Sequence, residues 1–147
     1  MFRVAVMLLA ALLAAWSPAS AAAAAQPGPQ PLKPVQVFDV ARGKVVATID
    51  NDDVFQAHAR SWLAGVTGVS AKVQPEDKCG YVFRVPLREP VAVSTGSVKL
   101  TAAEVFLFYC PGEAPRLLAI DTSRKAYFLE LKAELGPFLE KTGVPTL

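Results

Sequence analysis

Histidine occurs once in the 147 residues of this chain, asparagine once and cysteine twice. A lone histidine, His58, excludes the paired-histidine H-E-x-x-H zinc site, and two cysteines cannot form a four-thiolate metal cage. There is no glycine-rich phosphate loop, no S-x-x-K and no serine in a G-x-S-x-G elbow, so the common nucleotide and serine-nucleophile chemistries lack their first residue. Charge is also scarce: 15 basic against 13 acidic residues leave no concentrated basic face, which argues against nucleic acid or an anionic surface as a main partner. No internal repeat is visible.

What is present begins with the N-terminus. Arg3 gives a short positive region, Val4 to Trp16 an apolar core of thirteen residues, and Ser17-Pro18-Ala19-Ser20-Ala21 a small-residue cleavage zone. That core is too short to cross a bilayer as a stable helix. The pattern predicts a signal peptide over 1–25, cleaved after Ala21 or Ala25, with no membrane span left afterwards. No cysteine stands near the cleavage zone, which argues against a lipid anchor. An uncleaved N-terminal anchor is the alternative, and it exports the rest of the chain equally, to a compartment where disulfides persist. Gln26 to Pro34 reads as a polyproline-like spacer. Residues 35–147 then make a single domain with a modest core.

The long stretch from Cys79 to Cys110 reads as one β-hairpin with a cysteine at the free end of each arm. Thr95-Gly96 is a two-residue turn candidate between Ser94 and Ser97. Counting back from that turn, the first arm is two residues too long, and Pro86 and Pro90 mark where bulges absorb the surplus, because proline cannot donate to a ladder. With the slack removed, Cys79 faces Cys110, Tyr81 faces Phe108 and Phe83 faces Phe106, all six on one face. A Cys79–Cys110 disulfide is the resulting expectation.

Around it the chain alternates plainly. Val35 to Ala41 and Val45 to Ile49 form a short hairpin about Arg42-Gly43. Asp50-Asn51-Asp52-Asp53 looks like the start of a calcium loop, but the glycine and distal glutamate such a loop needs are missing, and a helix N-cap explains it better. Phe55, Ala59, Trp62, Leu63 and Val66 follow at helical spacing, ended by Gly65 and Gly68. Val69 to Val73 alternates as a half-buried strand, and Pro75 to Lys78 turns it into the long hairpin. Glu104 to Tyr109 is apolar on both faces, the mark of a central, covered strand. Leu117 to Ile120 and Ala126 to Leu131 are further strands. Leu135, Phe138 and Leu139 make a short C-terminal helix interrupted by Gly136-Pro137. His58 sits at the edge of the apolar helical stripe. Glu104 lies where it can pair with Arg84 or Arg88 across the hairpin as a surface ion pair.

The fold class is therefore α+β: an N-terminal β-hairpin, one helix, an antiparallel meander of about five strands wrapping that helix, and a short C-terminal helix. This order resembles cystatin-like and PepSY-like domains, in which a curved antiparallel sheet wraps one helix. No motif residues are shared, so the likeness implies layout and not function. One helix cannot cover both faces of such a sheet, so the second face must meet the C-terminal helix, the curled sheet itself or another molecule. Separately, Trp62-Leu63-Ala64-Gly65-Val66-Thr67-Gly68-Val69, Gly80-Tyr81 leading to Val85-Pro86-Leu87, Pro90-Val91 and Glu104-Val105 resemble a group of small secreted proteins from spore-forming Gram-positive bacteria. That group has no assigned activity, so the resemblance implies no site residues.

Three functional expectations follow. The first is a non-catalytic extracytoplasmic module that binds a protein or peptide through a sheet edge or an uncovered apolar face. The second is a structural, envelope-associated homodimer whose sheet face is buried between copies. The third is a small hydrolase using His58 with a neighbouring carboxylate, which requires His58 to open into a concave pocket. No cofactor, no metal and no catalytic residue is assigned.

Overall fold

The computed structural model describes residues 31–71 and 79–145. The expected signal peptide, residues 26–30 of the spacer and the turn at Pro75 to Lys78 lie outside the described residues. Strands β1 (Val35–Asp39) and β2 (Lys44–Ile49) form the expected hairpin. Val35, Val37 and Asp39 point inward along β1, and Gln36 and Phe38 outward, as the two-residue side-chain period requires.

Helix α1 (Asp53–Ala64) begins at Asp52, whose carboxylate accepts from the backbone N–H groups of Val54 and Phe55, each at 3.0 Å. The acidic run is thus a helix cap, satisfying donors that the first turn leaves free. Phe55, Ala59, Trp62 and Leu63 are buried. The helix stops at Gly65, earlier than its apolar pattern suggested, because Gly65 exchanges backbone contacts with Lys132: the Lys132 N–H donates to the Gly65 carbonyl at 2.9 Å. Val66 therefore opens strand β3 (Val66–Val69) instead of extending the helix. The strand expected over Val69 to Val73 is displaced accordingly, and Lys72 and Val73 lie outside the described residues.

β4 (Tyr81–Thr95), β5 (Val98–Tyr109), β6 (Arg116–Asp121) and β7 (Ala126–Leu131) form an antiparallel meander. Among the described residues the sheet has seven strands in the order β2-β1-β4-β5-β6-β7-β3. β1 joins through β4, and β3 sits at the far edge on β7. β3 also touches β4, so the sheet curves around α1.

The hairpin register differs from the expected one. Thr95 pairs with Val98, so the turn residues are Gly96 and Ser97, with Gly96 at φ 53°. The surplus in the first arm is three residues: the stretch from Leu87 to Pro90 lies opposite Ala103 alone. Below that bulge Tyr81 pairs with Tyr109, Phe83 with Leu107 and Val85 with Val105, one residue away from the pairing of Tyr81 with Phe108 and Phe83 with Phe106. A one-residue slip moves side chains to the opposite face. Phe106 and Phe108 consequently leave the face that carries Phe83.

The disulfide nevertheless forms, with Cys79 and Cys110 Cα atoms 5.6 Å apart. Gly80 makes this compatible with the shifted ladder. It adopts φ 76° just outside the first ladder pair, and a Cβ there would collide with the Tyr109 carbonyl. Only glycine tolerates both the left-handed conformation and that approach, so Cys79 crosses to Cys110 without being its ladder partner.

The bulge is held by side chains from the helix entry. Gln56, 1 % exposed, donates from Nε2 to the Pro86 carbonyl at 2.9 Å and to Asn51 Oδ1 at 2.7 Å. Its Oε1 accepts from the Arg88 N–H at 2.9 Å. Asn51, the single asparagine, donates to the Pro86 carbonyl at 2.9 Å and to the Lys33 carbonyl at 3.0 Å. Backbone groups that lose their ladder partners thus find side-chain ones, as partly buried amides require.

Helix α2 (Gly136–Thr142) starts rather than breaks at Pro137, which stands in its first turn, where a missing N–H costs nothing. Phe138 lies edge-on to Trp62 at 4.6 Å, Phe83 at 4.9 Å and Phe55 at 5.8 Å between ring centroids. Both helices therefore pack on the same side of the sheet.

Candidate functional site

The other side of the sheet is where the molecule is unusual. Ladder pairing fixes which residues stand side by side there. One row runs from Val45 through Phe38, Val82 and Phe108 to Arg116 and Glu130. The next runs from Gln36 through Arg84, Phe106 and Leu118 to Phe128. A third, shorter row holds Glu104, Ile120 and Ala126. Four phenylalanines and five aliphatic side chains thus form a continuous apolar band across six strands, and among the described residues no helix or strand covers it. Val45 is 47 % exposed. Phe38, Phe106, Phe108, Leu118 and Phe128 are half-buried, sheltered by one another. Phe108 and Phe128 meet edge to face at 5.4 Å, a favourable aromatic geometry.

Arg84, Glu104 and Arg116 on this face are paired within the chain. Arg84 pairs with Glu104, and its Nη1 donates to Gln36 Oε1 at 3.0 Å. Of the two arginines considered for Glu104, it is Arg84 that pairs; Arg88 turns to Asp53. Arg116 reaches Glu113 at 3.5 Å and lays its guanidinium 6.0 Å from the Phe128 ring centroid. Its Nη1 is buried without a hydrogen-bond partner. A concavity of about 300 Å³ lies on this face between Phe38, Val45, Val82, Phe106 and Phe108, with Gln36 and Arg84 completing the lining.

The sheet edges are less inviting. β2 carries Lys44 and a bulge next to the Phe38–Val45 pair, and β3 has four residues and its own irregularity between Val66 and Gly68. Lysine, bulges and short length are the features that discourage strand addition.

His58 lies elsewhere, on the helix side. Its ring stacks on Trp62 at 6.4 Å and meets Phe138 edge-on at 5.5 Å. Burial holds its pKa below the usual 6.5, and the Lys141 ammonium adds to the effect. The acid whose charge acts on it, Asp52, is engaged by Lys141 at 2.7 Å and by its cap bonds. Among the described residues, the concavities beside the disulfide, on the open face, along β7 and at the ends of α1 and α2 are all lined without His58. The pocket that a His58 hydrolase requires is not formed by them.

In the sequence, Phe106 and Phe108 read as partners of Phe83 and Tyr81 and not as part of an open face. The signal was there, in Glu104 to Tyr109 being apolar at every position from Val105 onward, but it reads as a strand covered on both sides. No protein-family model, no curated protein and no solved structure matches this chain. Among the described residues no helix is long and apolar enough to cross a membrane.

Proposed function

We propose that this chain is an exported, non-catalytic docking module that holds an apolar protein or peptide partner on the uncovered face of its sheet. One observation carries the reading: Phe38, Phe106, Phe108 and Phe128 stand in two adjacent rows on a sheet face with no element over them. Contiguous apolar surface of this kind marks interaction sites more often than bare solvent contact. The matched Arg84–Glu104 and Arg116–Glu113 pairs leave no excess positive charge for nucleic acid, and the guarded edges favour the face over strand addition. The disulfide supports an extracytoplasmic setting, with export by the leader over 1–25. The resemblance to small secreted proteins of spore-forming Gram-positive bacteria agrees with this reading and adds no site residue.

A photo-reactive phenylalanine analogue placed at position 108 tests it, with the same analogue at the exposed Arg60 as control. Cross-links to another chain from position 108 alone are the expected result. Equal yields from both positions, or none from position 108, would overturn the reading.

A further inference from the structure

We draw no further inference here: the strongest candidate, the apolar band that Phe38, Phe106, Phe108 and Phe128 form with its concavity on the open side of the sheet, carries nothing beyond the docking reading above, because nothing in the structure shows what covers it.

Discussion

Gln56→Leu is the most informative single substitution in this fold. The two side chains are close in volume and both suit a helix interior, so the change isolates the three hydrogen bonds that Gln56 makes to the Pro86 carbonyl, Asn51 and the Arg88 amide. The Pro86 carbonyl keeps its bond from Asn51, but the Arg88 N–H and Asn51 Oδ1 lose the partners they have here. A typical hydrogen bond contributes about 1 kcal/mol net, and a buried group left unpaired costs about 1–3 kcal/mol. The arginine amide is only partly buried, which places the sum near 3 kcal/mol, a large share of the ~5–15 kcal/mol that stabilises a domain. For a domain of this size that corresponds to a fall of roughly 10–15 °C in Tm. Urea and thermal unfolding measure it, and amide hydrogen exchange at Arg88 should accelerate in step. A loss below about 0.5 kcal/mol, the scatter of an ordinary surface change, would show that the bulge holds its shape without Gln56 and would refute the reasoning.

Three other outcomes follow from the same structure. Cys79→Ala with Cys110→Ala should cost about 3.5–4 kcal/mol from the loop-closure entropy of a thirty-one-residue separation, and the unmodified protein should show no thiol titre before reduction; a stable double variant at unchanged Tm would contradict this. Gly80→Ala should destabilise comparably or more, since it forces an L side chain to φ 76° and against the Tyr109 carbonyl, whereas Gly112→Ala, at φ 81° with open space around it, should cost only the backbone strain, about 1 kcal/mol; equal losses would show that the close approach is not what fixes Gly80. His58, whose folded pKa lies below 6.5 through burial and then Lys141, binds its proton less tightly when folded, so its contribution is complete above pH 6.5 and lost as pH falls through the folded pKa. His58→Gln should flatten that acid-side decline in a pH series of unfolding midpoints, leaving the separate decline below pH 3.8 that Asp52 contributes; an unchanged slope between pH 5 and 6.5 would mean that the ring titrates alike in both states.

The secondary elements and the disulfide were legible because each rests on local or covalent chemistry: the Asp52 cap, the helical spacing of Phe55, Ala59 and Trp62, the alternation along β1, and two cysteines at the free ends of one hairpin. The register was not, because it depends on how many residues a bulge absorbs, and no side chain from Leu87 to Pro90 states that number. Gln56 and Asn51 decide it from thirty and thirty-five positions away in sequence, through carbonyl and amide contacts that periodicity cannot reveal. Assuming that ladder partners and disulfide partners coincide supplied a count of two where the fold uses three, and Gly80 removes the need for coincidence. That single residue of difference reassigns Phe106 and Phe108 from the core to the open face. It also returns Leu107 and Tyr109 to the side of Phe83 and Trp62, so the core loses nothing by the exchange. From Val105 to Tyr109 the apolar character of both faces of β5 therefore has two separate physical causes: Val105 and Leu107 are buried in the core, and Phe106 and Phe108 lie on the open face. Anything that loosens the bulge at Pro86 should thus disturb the open face as well as stability, because the same three absorbed residues align Val82 and Arg84 with the phenylalanines beside them.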